Sequence, residues 1–485
     1  MADTGAAAVI RAHMAVRCGA IGAGQHDKTG WSPYALSQSV TIRRNGVDMT
    51  RRHLLVPFSL MMLAGCAATS GTTSSTTGAT ATTTAAPSAP PGPAEDFHTL
   101  DQTTCPTQAA SYGDWVAHFQ SYAQHQGKRP DVIQTAFATV RENPSISASA
   151  GKQPEFVTPV WTYMSKAVSP SRVAKGQQKY AENAAALAAV QRDYGVPDSV
   201  LMGIWGIETD FGNNFGDVNV FEALSNLGYR ANRAPFACKE LLAALDIVDA
   251  GHIAPNRMIG SWAGAMGHSQ FLPTNYLSVA VDRDGTGAPD LWSSMPDVFA
   301  STANMLRRDG WQPGLPWGFE VKLPATFPYG EAELDQQRPI SHWQSLGVRR
   351  IDGTPMPTLP GNTSILLLAG YKGPAFLITD SFRAILKYNY STSYALSVAY
   401  LGDEIKGGRG VVAAWPVNEP RLNLDERIEV QDRLQQLGYD VGGSDGVLGL
   451  KSRKAARLFQ KQIGWPQDGF ITKALLLELR RRTVS

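Results

Sequence analysis

VPDSVLMGIWGIETDFG, residues 196–212, is the stretch on which the reading of the fold turns. Asp198 stands where a helix N-cap belongs, and the residues after it have helical spacing. Leu201, Ile204, Trp205 and Glu208 fall at i, i+3, i+4 and i+7, one face of that helix. Three of the four are apolar and the fourth is a carboxylate. A carboxyl group on a buried helix face loses water, which favours its protonated form. Such a group can keep a proton near neutral pH and hand it to a leaving group. Trp205, one turn back, is the apolar wall that would do this. The competing reading is an ion pair with an arginine, or a misplaced stripe that leaves Glu208 in solvent.

Outward from this helix, GSWAGAMGHSQFLPTNY (260–276) mixes small residues with Ser261, Ser269, Gln270 and Asn275. Small residues let backbone approach a partner closely, and the polar ones suit an extended polar ligand. Tight helix packing is the plainer alternative. From about Tyr112 to Gly410 the pattern is mainly helical, as in SPSRVAKGQQKYAENAAALAAVQRDYGV, closed by Gly195. Residues 318–370 instead read as short strands between Pro/Gly turns. Past AAWPVNEPRL, residues 424–485 read as three amphipathic helices with two similar Asp-Gly turns, DGVLG and QDGFI, between them.

The 485 residues are 43% hydrophobic and 18% charged with net charge +2, and no basic run interleaved with aromatics points to nucleic acid. No apolar run is long enough to span a bilayer. MTRRHLLVPFSLMMLAGC (49–66) has a positive start, an apolar core and a lipoprotein-type box ending at Cys66. The expected organisation is an over-extended N-terminus (1–48), a lipoprotein signal peptide (49–65), a Thr/Ser/Pro-rich tether (66–106), a catalytic domain (107–412) and a small helical domain (421–485). Cys105 and Cys238 either pair in an oxidising compartment or stay free; spacing does not decide.

The two quoted segments, with QPEFVTPVWTYM (153–164), NLGYRANRAPFACKEL (226–241), DLWSSMPDVFASTANML (290–306) and YNYSTSYA (388–395), resemble the membrane-bound lytic murein transglycosylase B family over residues 112–406. The resemblance implies a mainly α (α+β) fold: a lysozyme-like helical catalytic domain with a small β-containing insertion. It implies cleavage of the MurNAc-GlcNAc β-1,4 bond of peptidoglycan without water, leaving a 1,6-anhydro end. Glycosidases ordinarily use two carboxyl groups, about 5 Å or more apart. Asp210, two residues on, should point away from Glu208, so Glu208 would act alone as acid and then base. Carried over residue by residue, Ser261, Gln270, Tyr163, Tyr388, Asn389 and Tyr394 fall at the family's substrate-binding positions, and tyrosines suit sugar faces. A half-buried core role is the alternative for each tyrosine.

No cofactor is expected. A calcium loop known in the family falls on DRDGTGAPDLWS (282–293), with Asp282, Asp284, Thr286 and Asp290 as weak candidate ligands, but its twelfth place is Ser293 where a bidentate Glu belongs. Residues 424–485 resemble the three-helix peptidoglycan-binding module, with docking on the enzyme as the alternative use. The expected partners are peptidoglycan glycan strands and a membrane reached through lipidated Cys66, with other cell-wall enzymes as further candidates. The expected place is the periplasm, at the outer membrane, because Ala67 and Ala68 offer no Asp after the cysteine. The rival functions are a water-using muramidase and a non-catalytic wall-binding lipoprotein.

Overall fold

The 25-residue helix Pro170–Tyr194 starts where Ser169 accepts a hydrogen bond from the Arg172 amide and stops at left-handed Gly195. Pro197 then opens the short helix Asp198–Thr209 that carries Glu208. In this computed structural model the described residues are 36–44, 47–55, 103–146, 158–230 and 233–483, the first two spans as backbone alone.

The Glu208 helix differs from its sequence reading in two ways. Pro197, not Asp198, is its N-cap. The Asp198 carboxylate instead accepts from Tyr180 Oη at 2.7 Å and from Lys406 Nζ at 3.0 Å. Every residue from Val200 to Thr209 is buried, so the helix is a core element on all sides and not an amphipathic one.

Its closest partner is the helix Thr392–Ile405, and the contact is made through glycines. A Cβ on Gly203 would lie 2.2 Å from the Val398 carbonyl oxygen, and one on Gly402 would lie 2.1 Å from that of Ser199. The two backbones touch, which sets Tyr394, in the first turn of one helix, against the last turn of the other. Gly203→Ala must push them apart. We expect a loss of about 2 kcal/mol in denaturant unfolding and a larger proportional loss of activity, since the separation opens at Glu208. An unchanged unfolding midpoint would contradict this packing.

The insertion is a five-stranded antiparallel sheet in the order Arg338–Pro339, Asn362–Leu367, Ala375–Ile378, Gly318–Lys322, Arg349–Arg350. It has its own core, built on Trp343, Phe327, Val348, Ile365 and Leu377. The last strand of the sheet, Ala375–Ile378, follows the Gly370–Gly373 turn within the segment TSILLLAGYKGPAFLIT. Cys105 and Cys238 form a disulfide that ties the start of the described catalytic chain to the helix Ala234–Asp249.

The helices Leu424–Gln436, Leu450–Gln462 and Lys473–Arg482 enclose Val430, Leu434, Phe459, Leu475 and Leu479. The duplicated turns have a shared lock. Gln431 accepts from the Gly446 amide and donates to Asp445; Gln460 accepts from the Gly469 amide and donates to Asp468. The second turn also docks this module on the catalytic domain, where Asp468 accepts from the Tyr371 amide at 2.9 Å.

Near the N-terminus, Leu36–Arg44 pairs antiparallel with Val47–Leu55, so the segment around Met49 is extended here. Cys66 and nearly all of the tether lie outside the described residues.

Candidate active site

Glu208 is 1% exposed, in the last turn of its helix. Tyr394 Oη donates to its Oε1 at 2.6 Å. Burial, with the Glu208 charge as the next cause, holds the Tyr394 phenol well above its ordinary pKa, so this hydroxyl remains a donor. The Tyr388 phenol is raised in the same way. Past the helix the chain turns sharply: Asp210, Phe211 and Gly212 all have positive φ. Left-handed non-glycine residues in sequence are costly and persist only where their surroundings hold them. Phe211 is held by packing edge-on against Trp205. Asp210 is held by Arg172 at 3.2 Å and Lys175 at 2.5 Å. Its carboxylate is therefore committed to two cations and is not a second acid for the Glu208 site.

The other candidate residues separate into distinct roles. Ser261 is fully buried, and its hydroxyl accepts from the Ala263 and Ala265 amides, organising its own tight loop. Gln270, left-handed at φ 49, donates its amide to the Phe215 and Gly267 carbonyls. Its Oε1 is buried without a hydrogen-bond partner among the described residues. Asn389 is similar: Oδ1 accepts from the Ser391 amide, while Nδ2 has no partner among the described residues. One buried acceptor and one buried donor are thus left without a hydrogen-bond partner among the described residues. Tyr163 is buried in the helix Val160–Ala167 and lies within electrostatic reach of Tyr394.

Two tyrosines differ from the reading that set them against sugar faces. Tyr388 is wholly buried and its hydroxyl is spent on the Ser269 carbonyl at 2.6 Å. Tyr394 is also wholly buried and faces Glu208. Neither ring has a free face, so each acts from behind the site.

His268 is a residue that the sequence reading quoted but did not single out. Trp205 Nε1 donates to its Nδ1 at 2.9 Å, and Thr209 Oγ1 to its carbonyl oxygen at 3.3 Å, so it braces the Glu208 helix. Nδ1 can accept only in a neutral ring. Burial lowers its pKa from 6.5 to about 4. Below 6.5 the unfolded chain takes up a proton that the folded chain refuses until about pH 4. Stability from this group is therefore complete above pH 6.5 and lost as pH falls toward 4. After discounting for partial exposure we expect roughly 2 kcal/mol over that range. Melting curves should show the loss in the wild type and a smaller one in His268→Gln; equal pH slopes in the two would contradict this assignment.

The calcium-loop candidates are not brought together as the spacing suggests. Asp282 and Asp284 converge with Asp297, which comes from the next helix, whereas Asp290 is not part of that group of carboxylates. Asp282 accepts from the Gly285, Thr286 and Gly287 amides, and Asp297 from those of Arg283, Asp284 and Asp290. Asp290 accepts from the hydroxyl of Ser293, the twelfth-place residue. The carboxylates of Asp282, Asp284 and Asp297 could together hold a calcium ion, with Ser293 standing where the loop would offer a bidentate Glu. No step of the reaction is derived through one.

Comparison with known proteins agrees with this architecture. A family described as the transglycosylase SLT domain matches residues 111–403, and a peptidoglycan binding domain matches residues 423–479. The membrane-bound lytic murein transglycosylase B of Escherichia coli (strain K12) is 29% identical over 295 residues, 58% of this chain and 75% of the relative. SltB3 from Pseudomonas aeruginosa, solved in complex with NAG-anhNAM-pentapeptide, is 45% identical with a TM-score of 0.74, over 77% of this chain and 100% of that one. Escherichia coli Slt35, solved in complex with calcium, is 27% identical with a TM-score of 0.52, over 60% of this chain and 92% of that one. The chain belongs to the lytic transglycosylase B family and carries a peptidoglycan-binding domain after its catalytic domain.

Proposed function

We propose that Glu208 performs both proton transfers of the transglycosylase reaction with no second carboxylate. As acid it protonates the glycosidic oxygen, GlcNAc O4, which bridges MurNAc C1 and GlcNAc C4. The C1–O bond breaks, and GlcNAc leaves with its hydroxyl restored. As base, Glu208 then takes the proton of the MurNAc C6 hydroxyl while O6 bonds to C1. The atoms balance without water, and the carboxyl group ends as it began. The attacking oxygen belongs to the reacting ring, so proximity does the work that an activated water does in a hydrolase. The observation that carries this reading is one buried carboxyl group gripped by Tyr394 while Asp210 is held by Arg172 and Lys175.

Gln270, Asn389, Ser261 and Tyr163 are buried as well, and we assign them a supporting role around the reacting sugar, with Gln270 Oε1 and Asn389 Nδ2 the atoms left without a partner among the described residues. We assign Tyr394 and Tyr388 as positioning residues, because neither ring is accessible. The anchor at Cys66 and an outer-membrane location are supported by the Arg-Arg, apolar core and LAGC pattern and by a curated relative described as membrane-bound. No described helix is long and apolar enough to cross a membrane.

Borohydride reduction of muropeptides released from purified sacculi tests the reaction. Products of Glu208 catalysis should resist reduction at the muramic end. Reducible muramic ends as the main product would establish a muramidase.

A further inference from the structure

A groove of about 470 Å³ runs between the catalytic domain and the C-terminal module. One wall is the segment 390–393. The opposite wall is the interdomain linker and the first turns of the helix Leu450–Gln462. Four guanidinium groups border the groove, on Arg421, Arg427, Arg453 and Arg457, against one lining carboxylate, Glu419. Arg457 is neutralised by Glu333 at 2.8 Å. The other three bond neutral oxygens: Arg421 reaches Thr162 Oγ1, Arg427 the Gly446 and Leu422 carbonyls, and Arg453 the Leu368 carbonyl. Arg421 and Arg427 have no carboxylate partner among the described residues, and Arg453 has only the charge of Asp468, whose oxygens already accept from the Tyr371 amide and from Gln460. Burial lowers the pKa of Arg453 to about 10 and that of Arg427 below its ordinary value. Arg453 and Arg427 are partly withdrawn from water and Arg421 is exposed, and the partly buried pair is short of counter-charge, which an incoming anion would supply.

The groove adjoins the catalytic machinery. Ser391 in its wall is the N-cap of the helix whose Tyr394 holds Glu208. We propose that this groove binds the ionised carboxylates of the peptide stem carried by the muramyl sugar. The inference rests on the transglycosylase reading and extends it to substrate choice. In a peptide-bearing strand the lactyl carboxyl of each muramyl sugar is tied up as an amide, so the glycan itself is neutral and gives these guanidinium groups nothing to meet. The stem is the anionic part of the polymer, and the guanidinium fork matches a carboxylate in geometry as well as charge. The docked module then contributes residues to the recognition of each repeat, beyond holding the enzyme near the wall.

The test compares kcat/KM of the full chain on glycan strands whose stem carboxylates are free and on the same strands with those carboxylates converted to amides. The wild type should favour the free-carboxylate strands by about tenfold, and high salt should erode that ratio. Arg421 is exposed on the linker, so its variants should fold. Arg421→Gln should lower the ratio about threefold and Arg421→Glu should bring it close to one. A wild-type ratio near one, or a ratio that neither variant nor salt moves, overturns the inference while leaving the transglycosylase reading intact. Failure of the wild type to cleave either strand overturns both.

Discussion

Glu208→Gln is expected to lower the rate of sacculus solubilisation by about a thousandfold while leaving the protein folded. Glutamine has nearly the same volume, and its amide oxygen can still accept from Tyr394 Oη, which bonds Glu208 at 2.6 Å. The substitution removes only the ability to give and take a proton. Because one group serves both transfers, no other acid can rescue either half of the reaction: Asp210, the near neighbour in sequence, is committed to Arg172 and Lys175. The melting temperature should stay the same or rise, since a buried ionisable group is replaced by a neutral one. Binding of sacculi by the C-terminal module should persist. A variant that keeps more than a tenth of wild-type activity would mean that another group does the chemistry.

Tyr394→Phe should reduce kcat roughly thirtyfold with KM within about twofold, in line with the loss of one hydrogen bond to a charged group. The ring remains to fill its place in the core, but the donor to Oε1 is gone. The loss falls on kcat because Tyr394 is wholly buried and meets Glu208, not the sugar. A sugar-stacking tyrosine would behave in the opposite way, with KM raised and kcat nearly kept. That split separates the positioning role from the cleft-lining role its sequence context suggests. Tyr388→Phe offers a milder comparison, because its hydroxyl meets a backbone carbonyl and not the acid.

How far the site was legible in the sequence depends on what kind of fact was being read. Glu208 could be picked out because a carboxylate among Leu201, Ile204 and Trp205 breaks a pattern within about two turns of helix. The helix proved to be enclosed on every side, and sequence could not show this, because the enclosing surfaces come from residues around 172–190, 299 and 398. For the tyrosines a sugar-facing role and a core role both stayed open, for a related reason. Aromatic residues that face a sugar and those that face a core share the same local spacing, and burial is a property of the whole fold. Asp297 was missed because loop-ligand spacing ends at Ser293, while Asp297 enters from the following helix. Pairing of Cys105 with Cys238 could not be read across 133 residues of chain. The arginine groove was invisible for the strongest reason: Arg421, Arg427 and Arg453 meet only because Asp468 and its neighbours dock the module on the sheet insertion.

The most direct test of the single-carboxylate account is digestion of purified sacculi in water enriched in the heavy oxygen isotope, followed by mass analysis of the released muropeptides. Closure by the ring's own C6 hydroxyl predicts anhydro-muramyl ends that carry no label. Labelled oxygen at C1 of the muramic acid would show that water is the nucleophile and would contradict the account.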